Sequence, residues 1–165
     1  SPAMAMEAMN SEVIMDQVHQ VARIMVVDDD PDTVSILARH IQREGFIAIE
    51  AISGAECLRI AHEHAVDIIL LDLMMPDMDG FDVCRALKGN PQTAEIPIIM
   101  ITARDDLDAR AEGMRLGVSD FLAKPVFRRQ LANRVRAQLE MLEAGRATEA
   151  ALNQLEHDGR NGKSK

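Results

Sequence analysis

From Val21 onward the chain alternates short apolar runs with stretches in which apolar residues recur every three or four positions. Residues 22–27 form the first run, closed by Asp28, Asp29, Asp30 and Pro31. Asp30 before Pro31 is a helix-start signal: the carboxylate can accept an orphan N–H, and proline fits the first helical position. Val34, Leu37, Ala38 and Ile41 then follow at helical spacing, and Gly45 supplies a stop. Residues 46–51 read as a second strand, and Ser53 caps a helix carrying Ala55, Leu58, Ile60 and Ala61. Residues 66–71 form a third strand, apolar around Asp67. Asp79 and Gly80 open a helix reaching about Lys88, and a strand is predicted over 96–102. A helix over 105–116 closes at Gly117, a fifth strand covers 118–123, and a last helix runs from about Val126 to Ala144.

A strand that is apolar on both faces needs cover on both faces, which is the condition of a parallel sheet between helices. Five such strands alternating with five helices predict an α/β, doubly wound domain with helices on both faces of a five-stranded parallel sheet. Right-handed crossovers leave only a few strand orders. The 165 residues allow one domain with short appendages. The expected division is a leader over 1–20, whose Ser-Pro-Ala-Met opening resembles a cloning remnant, a folded domain over 21–144, and a polar linker or tail over 145–165. Leu142, Leu152 and Leu155 hint at a continued amphipathic helix, over too few turns to define a coiled coil.

Composition narrows the functions. Eighteen Lys and Arg against 27 Asp and Glu give a formal charge of −9, and aromatics are 2% with no Trp or Tyr. An acidic chain with four Phe has neither a basic phosphate-binding surface nor stacking platforms, so no direct nucleic-acid contact is expected of it. No apolar run approaches the ~20 residues of a membrane span. Cys57 and Cys84 form no CxxC pair and read as small buried hydrophobes, consistent with a reducing cytoplasm.

Ligands of an open parallel sheet bind outside the carboxyl ends of its strands. Strand arithmetic places Asp28 and Asp29, Asp72, Thr102, and Lys124 before Pro125 at those ends. Three carboxylates together raise one another's pKa unless a cation compensates, and Mg²⁺ commonly joins one or two carboxylates to a phosphate. Lys124 adds a point charge and Thr102 a neutral donor for the same phosphate. The set suits phosphoryl transfer, where positioning and charge neutralisation carry most of the catalysis. The chain has no GxxxxGK[ST] or GxGxxG loop.

The runs Val26-Val27-Asp28-Asp29-Asp30-Pro31, Leu70-Leu71-Asp72-Leu73-Met74-Met75-Pro76-Asp77-Met78-Asp79-Gly80, Ile101-Thr102-Ala103 and Asp120-Phe121-Leu122-Ala123-Lys124-Pro125 resemble, in order and spacing, the signature set of response-regulator receiver domains of two-component systems, the chemotaxis regulator among them. The resemblance covers about 21–139. It implies a flavodoxin-like fold with strand order 2-1-3-4-5. It also implies Asp72 as phospho-acceptor, attacking a phosphohistidine of a sensor histidine kinase or histidine phosphotransfer protein. Asp29 would be the direct Mg²⁺ ligand and Asp28 the second acid, with the backbone carbonyl of Met74 completing the protein ligation. Thr102 and Phe121 would be the switch pair, Phe121 turning inward, and Lys124 would bridge the phosphoryl oxygen ahead of a cis bond to Pro125. The surface expected to change, and to support a homodimer, is helix 4, strand 5 and helix 5.

Plainer readings compete. Asp30 reads as a helix cap alone. His62-Glu63-His64 places its imidazoles on different helix faces and reads as solvated surface. Arg128, Arg129, Arg134 and Arg136 read as a solvated or ion-paired face, with contact to a second copy as the functional alternative. The rival to a phospho-accepting switch with slow autophosphatase activity is a Mg²⁺-dependent phosphohydrolase with an aspartate nucleophile. Such enzymes carry a second Asp two residues on, where Met74 stands. Met74 and Arg104 are expected to flank the path of an attacking water.

Overall fold

The computed structural model describes residues 21–104 and 106–163. The expected leader and Asp105 lie outside the described residues. Five strands alternate with five helices: β1 (Arg23–Val27), α1 (Pro31–Arg43), β2 (Ile47–Ala51), α2 (Gly54–Glu63), β3 (Ile68–Leu71), α3 (Gly80–Lys88), β4 (Ile98–Thr102), α4 (Leu107–Arg115), β5 (Asp120–Ala123) and α5 (Arg128–Lys163). All strand pairs are parallel, in the order β2-β1-β3-β4-β5.

The period of two along each strand splits the apolar runs into two cores. Met25, Val27, Ile69, Leu71, Ile98 and Met100 pack with Cys57 and Ile60 of α2, Val83 and Leu87 of α3, and Ala109 of α4. Their neighbours Ile24, Val26, Ile68, Leu70, Ile99 and Ile101 pack with Val34, Leu37 and Ile41 of α1 and Leu131 and Val135 of α5. Each central strand therefore buries both faces, as its unbroken apolar sequence requires.

The caps follow local chemistry. Asp30 accepts from the Asp32 amide, Ser53 from the Glu56 amide, and Asp79 and Asp82 form a reciprocal capping box at α3. Gly45 and Gly117 take φ of +89° and +92° just beyond α1 and α4, where a side chain would be strained.

Several boundaries differ from expectation: β3 and β5 start at Ile68 and Asp120 rather than at 66 and 118, and three other shifts have a physical cause. The strand expected over 96–102 starts at Ile98, because the Ile96 carbonyl is taken by Lys88 Nζ at 3.3 Å instead of by a ladder. Helix α4 begins after Asp106, whose side chain accepts from the Ala109 amide at 2.7 Å and so fixes the start. Most consequentially, the last helix does not end at Ala144. It runs through Gly145 to Lys163, 36 residues or about 54 Å. A glycine inside a helix costs only roughly 1 kcal/mol, so Gly145 alone does not stop it.

Candidate functional site

Register brings the chemistry together. Val27 lies opposite Leu71 and Leu71 opposite Met100, so the residues after β1 and β3, Asp28 and Asp72, emerge side by side. The Asp72 amide bonds the Val27 carbonyl at 3.0 Å and the Asp28 amide bonds the Ala51 carbonyl at 3.2 Å, which anchors both carboxylates on backbone of neighbouring strands. The Lys124 amide donates to the Thr102 carbonyl at 2.9 Å, and the Lys124–Pro125 bond is cis.

Carboxylate oxygens of Asp28, Asp29 and Asp72 all lie within 4.8 Å of one another; Asp28 and Asp72 are buried and Asp29 is exposed. Lys124 Nζ is 2.8 Å from Asp28 Oδ2 and 3.6 Å from Asp72 Oδ2. The Lys124 ammonium thus pairs with two of the three acids, and Asp29 stands outside that pairing among the described residues. Burial, and then the Asp28 charge, push the Asp72 carboxyl up to about 6, against the pull of Lys124. Burial opposes the Lys124 charge, but the Asp28 hydrogen bond and the Asp72 charge outweigh it and hold the ammonium above its ordinary value. A cluster of oxygen donors with uncompensated negative charge at the open edge of a sheet fits a hard divalent cation.

Other expected residues take distinct places. Thr102 is fully buried, and its Oγ1 accepts from the Arg104 amide at 3.1 Å. The Met74 amide reaches Asp72 Oδ1 at 3.4 Å while its side chain is 59% exposed. Met74 and Arg104 both line a cavity of about 400 Å³ with Leu73, Met75 and Asp79. Phe121 already lies inside, 4% exposed, with the Arg110 guanidinium 5.2 Å from its ring centroid.

Two features went unread in the sequence. A Cβ on Gly80 would stand 2.6 Å from the Asp72 carbonyl oxygen and 2.8 Å from Leu73 Cα, so only glycine lets α3 start against the acceptor loop. Its amide donates to the Leu73 carbonyl at 2.8 Å and closes that loop. Asp77 helps the reversal with φ of +67°. The Asp-Gly pair gave a helix start, but not this close approach. The Arg110–Phe121 contact likewise has no sequence signature.

The plainer readings hold where the structure describes them. Arg128 and Arg136 pair with Glu44, and Arg134 pairs with Asp120 at 2.9 Å. His62 faces Gln92 and Asn90. Cys57 and Cys84 are fully buried, and burial pushes each thiol up to about 12, which keeps both inert. No helix among the described residues is long and apolar enough to cross a membrane.

A doubly wound parallel sheet with an acidic crevice, a buried threonine and a lysine at its carboxyl edge defines a class of phosphoryl-handling α/β proteins. The response regulator receiver domain model matches residues 24–136, and the chain belongs to that family, a signalling switch of two-component systems rather than a classical enzyme. It is 46% identical over 116 residues to "Response regulator PleD" of Caulobacter vibrioides, covering 70% of this chain and 26% of that protein. It is 37% identical over 144 residues to "DNA-binding response regulator MtrA" of Mycolicibacterium smegmatis, covering 87% and 61%. The chain therefore spans about a quarter to three fifths of these relatives. Among solved structures, the CheY-like receiver protein of Methanospirillum hungatei superposes with a TM-score of 0.71 at 25% identity, over 76% of this chain and 99% of that one. Chemotaxis protein CheY4 of Vibrio cholerae gives 0.69 at 27% identity, over 71% and 98%. These likenesses bear out the flavodoxin-like fold.

Proposed function

We propose that Asp72 is the phospho-acceptor of a Mg²⁺-dependent phosphoryl transfer from a phosphohistidine. The observation that carries this is the three-carboxylate cluster, within 4.8 Å, two of whose members pair with the Lys124 ammonium. Asp28, Asp29, Asp72 and the Met74 carbonyl would hold the ion, which supplies charge neutralisation for the phosphoryl oxygens when bound.

An ionised Asp72 oxygen forms the new bond to phosphorus as the phosphorus–nitrogen bond of the donor breaks, and the electron pair leaves with the imidazole, which takes up a proton. Lys124 meets one phosphoryl oxygen, and the Thr102 hydroxyl can donate to another once it reorients from its contact with the Arg104 amide. Phe121 on β5, opposite Met100, would carry that change to the α4–β5–α5 surface. Met74 and Arg104 restrict water and lengthen the life of the acyl phosphate. Slow autophosphatase chemistry, a cytoplasmic location, and a histidine kinase or histidine phosphotransfer protein as donor complete the reading. So does division into a receiver over 21–144 with a connector beyond it. Homodimer contact through α4–β5–α5 belongs to the same reading. The exclusion of nucleic acid rests on this segment's charge alone: relatives such as MtrA are named as DNA-binding, so it does not extend to a longer protein.

Incubation with acetyl phosphate and Mg²⁺ tests the assignment. One equivalent of hydroxylamine-labile phosphate that disappears in Asp72→Asn is expected. Many turnovers would indicate the phosphohydrolase, and labelling that survives in Asp72→Asn would overturn Asp72.

A further inference from the structure

Helix α4 brings little of its own to the sheet. Its buried residues are Ala109 and Gly113, both small, while Leu107 and Met114 are 85% and 61% exposed. The bulk beneath it is the Phe121 ring, which shares a core with Ala109, Val118 and Met100. Phe121 pairs with Met100 and Ala123 with Thr102, so by the period of two the Phe121 and Thr102 side chains share the sheet face that α4 covers.

The ring is gripped twice by the same helix. A Cβ on Gly113 would stand 3.3 Å from Phe121 Cε2 and 3.5 Å from Cδ2, so the bare glycine backbone forms a slot for the ring edge. Three residues earlier, on the same helix face, the Arg110 guanidinium lies 5.2 Å from the ring centroid and covers it, and Phe121 is left 4% exposed. Turning the ring outward would empty a ring-sized volume that Ala109 and Gly113 are too small to fill. That cost exceeds what an ordinary allosteric coupling supplies. The start of α4, by contrast, is tied to Thr102 by hydrogen bonds alone. Thr102 Oγ1 accepts from the Arg104 amide at 3.1 Å, Arg104 Nε donates to Asp106 Oδ2 at 3.1 Å, and Asp106 Oδ1 accepts from the Ala109 amide at 2.7 Å.

We propose that Arg110 and Gly113 are positioning residues that keep the Phe121 ring inward whether or not Asp72 is phosphorylated, so that the surface changes by a shift of α4 and not by rotation of the ring. The proposal rests on Asp72 as the phospho-acceptor. When the Thr102 hydroxyl leaves the Arg104 amide, the chain through Arg104 and Asp106 loosens at the start of α4, and the helix moves with the gripped ring as its pivot.

Fluorine NMR on the full chain is the test. Incorporation of 4-fluorophenylalanine gives one line for each of the four Phe, and Phe121→Leu identifies the line of interest. A trifluoromethyl tag on Met114→Cys reports α4 itself; Cys57 and Cys84 are buried and do not take it. On addition of acetyl phosphate and Mg²⁺ the tag should move while the Phe121 line stays. Gly113→Ala, which forces ring and helix apart, sets the size of a displaced-ring shift, and a Phe121 line that moves that far in the unsubstituted chain overturns the proposal. Arg110→Met keeps the length of the side chain and removes its charge. Without any phosphodonor, the outward population of the ring, read by fluorine saturation transfer, should then rise about two- to fivefold, the worth of an exposed cation–π contact, and Arg110→Lys should restore it. An unchanged population denies Arg110 its role. Hydroxylamine-labile phosphate measured on the same samples separates the two readings: its absence would sink Asp72 as acceptor, whereas the Arg110 and Gly113 variants are read without phosphate and judge the grip by itself.

Discussion

Glycine stands at both the carboxyl edge of the sheet and the outer half of α5, and the two positions show how differently those regions are held. At Gly80 an added Cβ would meet backbone of Asp72 and Leu73 at 2.6 and 2.8 Å, whereas at Gly145 it would meet nothing within 4 Å. The edge is fixed by register from four strands, by backbone bonds under Asp28 and Asp72 and by a loop closed on itself. It can therefore hold charges in positions they would not choose. The outer helix, whose described side chains are exposed from Ala147 to Gly159, has none of this over-determination.

The largest effect should come from breaking the edge at its tightest point. Gly80→Ala forces the start of α3 away from the acceptor loop and is expected to cost about 3 kcal/mol, the upper end for overpacking against backbone, read by urea unfolding. Labelling by acetyl phosphate should fall with it, since the displaced loop carries Asp72. A variant of wild-type stability would show that the loop yields freely.

Next is a change of opposite sign. Folded Asp72 titrates at about 6 against an ordinary 3.8, so between those values the folded chain keeps a proton that the unfolded chain has lost. Stability thus falls as pH rises from about 4 to about 6, and the penalty is complete above that. Asp72→Asn removes the charge and should stabilise the protein in the presence of a chelator by up to about 3 kcal/mol at pH 7 to 8, and by nothing near pH 3. Thermal unfolding of both proteins across that range checks it; a pH-independent difference would mean that packing, not charge, is responsible. The site that destabilises the fold is the one that phosphorylation would use.

What the sequence made legible follows from the same contrast. The positions of Asp28, Asp72, Thr102 and Lys124 could be read because a strand has a period of two and a parallel sheet puts its strand ends on one edge. Nothing beyond counting was needed. Asp30, Ser53 and Asp79 were legible as caps because their chemistry is local. The Gly80 approach was not, because it depends on how residues 72–80 fold back, and no local pattern encodes that. Nor was the placement of Phe121, expected to turn inward and already inside with Arg110 over its ring. The end of α5 was misplaced at Ala144 for the converse reason: Gly145 is a local stop signal, and helical continuity on both sides outweighs it.

Removing that signal gives the smallest expected effect and isolates the outer helix from the edge. Gly145→Ala adds a methyl group that meets nothing in the chain and restricts the unfolded backbone. It should strengthen α5 by roughly 0.5–1 kcal/mol, seen as a gain in far-UV helical signal. Acetyl phosphate labelling of Asp72 should not change, because no strand end or loop of the edge is touched. If labelling did shift, the outer helix and the edge would be coupled through the Asp67–Arg146 tie, and Arg146→Ala should then abolish that shift.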